Sequence, residues 1–280
     1  MSPRYPSGTL NTIVCIPGSF APESIGGQLA AACRARQIRI RQIGTNTWET
    51  ESAVDRYRLL RALLPLTRKE GVVIALPQAA SARRAMLFDL DSTLTACEFL
   101  DTLAEAAGFD DRTRRQTRAA MEGHADFAEN YRERVARFAG MPVVRIETII
   151  DRLPLAAGAS ELFERLREAH IHTAIVTGGY ARVGRAVQQR LGAEALYATE
   201  LEEAGGRLTG RIAGPLLDAA AKVAALDDFC AKHQLQRCDC VAVGDGANDL
   251  QLLAAAGCGI LYTACPENSE PLPIGRLFDF

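Results

Sequence analysis

A chain of 280 residues, 48% hydrophobic and 24% charged, is long enough for two globular units and too apolar to be mainly disordered. Its formal net charge of −2 sets up no field of one sign, which excludes nucleic acid and an anionic membrane as general partners. The apolar run 13–16 is too short for a signal segment and no stretch reaches the roughly 18 apolar residues of a membrane span, so the cytoplasm is the expected location.

Residues 1–80 predict a small α+β unit: strands over 12–17, 38–43 and 72–76, and helices over 23–36 and 54–69. The polar stretch 46–51 offers no visible strand. Pro77 and the small, polar residues 78–84 mark a boundary between this unit and a second one over 84–280. From there apolar strands alternate with helices, at 86–90, 173–176 and 240–243, the pattern of a doubly wound parallel sheet. About 80 residues separate the first two of these strands. They predict helices over 101–107, 112–121, 126–138 and 144–151, an inserted helical cap spanning about 97–155. Thr209-Gly210, between β-like stretches at 198–201 and 211–213, predicts a hairpin.

The eight cysteines are too sparse for a disulfide scaffold and read as reduced thiols; the close pair Cys238 and Cys240 lacks the further ligands of a zinc site. The four histidines have no partners at metal-ligand or triad spacing, and Arg112, Arg114, Arg115 and Arg118 read as a solvated face.

Chemistry concentrates where the apolar strands end. Asp89 and Asp91 stand at i and i+2 as a strand runs out, so both carboxylates point to one side of the ligand crevice. An acidic pair there predicts a cation with oxygen ligands, for which Mg²⁺ is suited. Gly244-Asp245-Gly246-Ala247-Asn248-Asp249 follows another apolar strand; its glycines permit a tight turn that brings Asp245 to the same ion, with Asn248 and Asp249 bracing the loop. Thr177-Gly178-Gly179 ends a third strand and offers a hydroxyl and backbone N–H groups for phosphate oxygens. Lys222, on a helix predicted over 218–231, has the charge to neutralise a carboxylate and a phosphoryl group brought together, although alone it also fits a solvated helix face.

Asp89-x-Asp91-Ser-Thr, Thr177-Gly, Lys222 and Gly244-Asp245-Gly-x-Asn248-Asp249 resemble, in order and spacing, the motifs of the haloacid dehalogenase superfamily. Within it, residues from about 83 to 266 resemble the bacterial phosphoserine phosphatases. Glu98 stands nine residues after Asp89, and the cap pattern Phe-x6-Arg is matched by Phe127 and Arg134, after Met121-Glu122-Gly123. The resemblance implies a Mg²⁺-dependent hydrolysis of phosphoserine to serine and phosphate, the last step of serine biosynthesis, through an aspartyl-phosphate on Asp89. It implies Asp91 as general acid and base, with its backbone carbonyl on the metal beside Asp89 and Asp245. Thr177, Gly178, Asn248 and Lys222 would hold the phosphoryl group, Asp249 would support the loop, Glu98 would bind the substrate ammonium, Arg134 its carboxylate, and Phe127 its aliphatic part.

Two positions depart from the family pattern: Thr177 replaces the commoner Ser, and Tyr262-Thr-Ala-Cys265-Pro266 lacks a lysine before the proline. Residues 1–80 are similar to the ACT-like regulatory domains that precede some phosphoserine phosphatases, in a degenerate form with a dimerising or stabilising role. Phosphohomoserine or phosphothreonine remains an alternative substrate, and a non-catalytic amino-acid-binding regulator an alternative of another class. Glu98 and Arg134 alone also fit the charged outer face of a cap helix.

Overall fold

The computed structural model describes residues 11–16, 22–71, 73–77, 83–108, 127–267, 270 and 272–279. Their strands form a single ten-stranded sheet in the order β2-β3-β1-β4-β10-β9-β5-β6-β7-β8. The strands are β1 (Thr12–Ile16), β2 (Ile40–Gly44), β3 (Thr47–Thr50), β4 (Val73–Pro77), β5 (Ala85–Phe88), β6 (His172–Tyr180), β7 (Ala195–Ala204), β8 (Arg207–Ala213), β9 (Cys240–Gly244) and β10 (Cys258–Leu261). The neighbours β10, β9, β5, β6 and β7 run parallel, the doubly wound core that the apolar strands predict.

Period two along these strands sorts side chains onto two faces. Leu87, Ala174, Val176 and Ala242 enter one apolar cluster, with Leu226 and Phe229 of α8 (Ala219–His233) and Leu252 and Leu253 of α9 (Leu250–Ala255). Met86, Phe88, Ile175, Val241 and Val243 enter the other, with Leu162 and Phe163 of α6 (Ala159–Glu168) and Val183 and Val187 of α7 (Ala181–Leu191). The same second cluster takes in residues of α3 (Phe99–Ala106), α4 (Phe127–Ala136) and α5 (Val143–Ile150), which lie in the chain between β5 and β6. The helix expected over 112–121 and the Met121-Glu122-Gly123 segment lie outside the described residues, as do the arginines of that stretch. Among the described residues no helix is long and apolar enough to cross a membrane.

The N-terminal elements follow the order β1, α1 (Pro22–Arg34), β2, β3, α2 (Arg56–Glu70), β4, a split βαβ arrangement. Its β3 corrects the sequence expectation of no strand at 46–51. Trp48 and Thr50 are buried on one face of that strand while Thr47 and Glu49 are half-buried on the other, so four residues of correct alternation suffice once β1 and β2 flank them. The carboxylate of Asp55 accepts from Arg58 N at 3.0 Å to start α2, and Gly71, in the left-handed region at φ 64°, ends it. Leu59, Leu60, Leu63 and Leu64 form its buried stripe.

The N-terminal strands continue the sheet of the second part of the chain, because β4 pairs antiparallel with β10, Ala75 opposite Ile260. Buried Arg56 donates to Ala256 O at 2.8 Å and Leu76 O at 2.6 Å, which ties the start of α2 to the end of α9. The hairpin also differs in detail from its prediction. β7 and β8 are joined at Gly205-Gly206, with φ of 57° and 72°, the mirror-image turn that suits strand twist. Gly210 lies within β8 instead, where an added Cβ would come within 3.0 Å of Ala136 O.

Candidate active site

At the carboxyl end of β5 the chain turns sharply: the N–H groups of Leu94 and Thr95 both donate to Leu90 O, and Ser92 takes φ 57°. The turn is held from outside by Ala264 N, which donates to Ser92 O at 2.6 Å, so the segment after β10 supports it without a lysine. Asp89, 4% exposed, leaves the strand just before this turn, its N–H donating to Val243 O at 2.9 Å.

Lys222 lies in the first turn of α8, capped by Asp218, whose carboxylate accepts from Ala221 N at 2.9 Å. Its side chain is fully buried, not the solvated alternative, and its Nζ donates to Asp89 Oδ1 and Asp249 Oδ1 at 2.5 Å each. Burial works against the ammonium, but the charges of Asp249 and Asp89 outweigh it and raise the lysine pKa. The second oxygen of Asp249 accepts from Gly246 N at 3.0 Å. Gly244 is required here by close approach, since an added Cβ would meet the Asp249 carboxylate at 2.6 Å. Asn248 is half-buried in the same loop.

Oxygens of Asp89, Asp245 and Asp249 lie within 4.8 Å of one another, all three residues buried. Oδ1 of Asp245 is buried without a hydrogen-bond partner, and desolvation pushes its carboxyl up to about 7, against the opposing pull of Arg68. Burial, then the neighbouring Asp249, likewise raises Asp89 well above the usual carboxylate range. Three carboxylates facing one ammonium leave a deficit of positive charge, and an orphaned carboxylate oxygen is the donor a hard cation takes, so the residues fit a divalent metal. Asp249, expected only to brace the loop, belongs to this group by geometry.

The carboxylate of Asp91 stands outside the cluster. Its Oδ1 accepts from Phe99 N at 2.8 Å, and its other oxygen lies 2.6 Å from where a Cβ on Gly179 would be. Thr177 is buried at the end of β6, its hydroxyl accepting from Gly179 N at 2.9 Å, with Gly178 buried between them. The site therefore holds two carboxylates, Asp89 and Asp249, on the lysine and a third, Asp91, on the backbone at the start of α3.

Glu98 occupies the N-cap position of α3 but does not cap it; its carboxylate accepts from Ser92 Oγ at 3.1 Å. Burial and then the charge of Asp91 raise its pKa strongly, while Arg134 lowers it. Arg134 on α4 is only 5% exposed, which removes it from the outer face of the helix. Its Nη2 donates to Asp101 Oδ1 at 2.9 Å and its Nε is buried without a partner. Asp101, which sequence reasoning passed over, thus orients the arginine. Phe127 opens α4, and its side chain lies outside the described residues. At the opposite, amino-terminal end of β6, two histidines given no role do meet: the rings of His172 and His233 lie 4.1 Å apart, and His172 Nδ1 is 2.8 Å from Glu194.

Residues 86–254, more than half of the chain, match the model of the haloacid dehalogenase-like hydrolases. Among curated proteins the chain is 38% identical over 212 residues to phosphoserine phosphatase SerB2 of Mycobacterium tuberculosis, covering 75% of this chain and 52% of that one. It is 33% identical over 192 residues to a phosphoserine phosphatase of Methanocaldococcus jannaschii, covering 69% and 91%. The chain spans about half the length of the Mycobacterium tuberculosis, Archaeoglobus fulgidus and Streptomyces coelicolor relatives, at 52%, 53% and 53%. A solved phosphoserine phosphatase with a phospho-aspartyl intermediate analogue superposes with a TM-score of 0.60 at 33% identity, over 63% of this chain and 85% of that one. A hydrolase of this superfamily from Salmonella enterica serovar Typhi shares the fold across 89% of this chain and 87% of its own, with a TM-score of 0.63 at 24% identity. Because the family model matches more than half of the chain, and the Methanocaldococcus relative is 33% identical over 91% of its own length, the chain belongs to the haloacid dehalogenase-like hydrolases.

Proposed function

We propose that this chain is a Mg²⁺-dependent phosphatase that hydrolyses O-phosphoserine to serine and phosphate through an aspartyl-phosphate on Asp89. The observation that carries this reading is the buried Lys222 bridging Asp89 and Asp249 at 2.5 Å, with the Asp91 carboxylate held apart. Lys222 aims Asp89 and pulls its pKa down against burial and Asp249, so that one of its oxygens attacks phosphorus as the seryl oxygen leaves. Asp91, raised by burial, protonates that oxygen and then takes a proton from the water that cleaves the acyl phosphate. Thr177, Gly178, Asn248 and Lys222 hold the transferring group. Asp89 and Asp245, with the main-chain carbonyl of Asp91, are the residues to hold Mg²⁺, which supplies charge compensation for the phosphoryl oxygens; Asp249 supports them.

The substrate assignment rests on the cap helices α3 and α4. A zwitterion with a phosphate needs an anion for its ammonium and a cation for its carboxylate, and Glu98 and Arg134 supply the two, with Phe127 for the aliphatic part. The names of the relatives point the same way. Residues 1–80 we read as a degenerate ACT-like unit, with the catalytic unit at 84–280, and β2 as an edge where two copies pair.

Asp89→Asn abolishes phosphate release from phosphoserine in Mg²⁺; activity within about tenfold of wild type sinks the covalent route. Arg134→Ala raises KM for phosphoserine by at least about tenfold and leaves an aryl phosphate little changed, as loss of a charge-assisted contact requires. Equal effects on both substrates, or better turnover of phosphothreonine in a kcat/KM panel, overturn the substrate assignment.

A further inference from the structure

A cavity of about 360 Å³, within the range of small-molecule sites, lies between α2 and the loop after β9. Arg36, Arg61, Arg68 and Lys69 line it against one carboxylate, Glu267, an excess of three positive charges (four minus one). Among the described residues the side chains of Arg36, Arg61 and Lys69 enter no hydrogen bond or ion pair. Unmated cations converging on one hollow repel each other and are stabilised by an anion. Tyr57, Leu64, Pro65 and Leu250 add an aromatic and apolar wall. A second hollow of about 390 Å³ shares Arg36, Tyr57 and Arg61 and adds Arg58, which lengthens the basic groove.

We propose that this cavity binds a small organic polyanion and that its occupancy is felt at the acidic cluster of Asp89, Asp245 and Asp249. The four cations lie outside residues 86–254, so the charge of the site comes from the N-terminal part of this chain and not from the catalytic residues of the matched region. The link to the acidic cluster is short. Ala247 and Leu250 line the cavity and flank Asn248 and Asp249, and Leu250 begins α9 directly after Asp249. The backbone of Arg68 is fixed by Glu267 N, which donates to its carbonyl at 2.9 Å, and its charge stands in the cavity wall with Ala247, two residues after Asp245. An anion beside Arg68 offsets that charge and strengthens the pull of the cluster on a divalent cation.

The test is isothermal titration with EDTA present, using ATP, citrate and pyrophosphate as separate probes. Saturable 1:1 binding below about millimolar is expected, with ATP tighter than pyrophosphate because of the apolar wall; the citrate arm separates carboxylate from phosphate recognition. The double variant Arg61→Ala with Lys69→Ala, both exposed, keeps its melting temperature and basal turnover and weakens binding at least about tenfold; the exposed control Arg152→Ala does not. At controlled free Mg²⁺, the tightest probe lowers the half-saturating Mg²⁺ at least about twofold in wild type only. No saturable binding by any probe, or equal affinity in the double variant, overturns the site; binding with an unchanged Mg²⁺ response overturns the coupling. The titration is independent of substrate identity, so it fails or succeeds separately from the phosphoserine assignment.

Discussion

Lys222 and Asp245 show how burial divides labour among charges. The lysine is matched on two sides and stays charged, whereas Asp245 keeps an oxygen with no partner and burial pushes its carboxyl up to about 7. A carboxyl whose folded pKa is raised takes up a proton on folding, so its contribution is intact below its unfolded value near 4 and stability falls as pH rises toward 7. With EDTA present, urea melts are expected to lose up to about 3 kcal/mol between pH 5 and pH 7.5, and Mg²⁺ at pH 7.5 restores most of it. Equal stability at the two pH values without metal would show that Asp245 is not strained in this way. At this scale the motif residues Asp89, Asp91, Thr177, Lys222 and Asp245 were legible because their types and spacing carry the chemistry. The Arg134 to Asp101 pair was not, since it joins two helices 33 residues apart.

Elements carry these residues to their places, and α8 is the clearest case. Asp218 caps the helix, and Lys222, four residues later, has its N–H bonded to Asp218 O at 2.9 Å. Asp218→Ala is expected to cost about 1 kcal/mol of stability and also to lower kcat, because fraying of the first turn frees the lysine from its two carboxylates. A stability loss with kcat unchanged separates the cap from the site. Helix and strand types followed from apolar period, as in the leucine stripe of α2. The misplaced features are those that depend on neighbours. β3 is too short and polar to be read before β1 and β2 enclose Trp48, and Gly210 resembles a turn residue until α4 is seen to pass close to it.

The whole molecule is organised by one sheet that runs through both parts of the chain. Among the described residues β2 is an edge strand of this sheet, with four exposed residues out of five and Ile43 52% exposed, an edge suited to a second copy. Light scattering at rising concentration is expected to give a dimer that Ile43→Glu converts to monomer without loss of fold. A wild type that stays monomeric contradicts pairing at that edge.

The sequence by itself determined the strand-end chemistry and the parallel core, because acidic, glycine-rich and apolar runs are local patterns with a fixed period. Only the tertiary structure decided that Lys222 is buried rather than solvated, that Asp249 joins the acidic cluster, and that α2 and the turn after α1 bring four cations beside the loop after β9. Each of these depends on which distant segments meet in space, and for Lys222 and Asp249 the burial that follows is what strengthens the interaction between their charges.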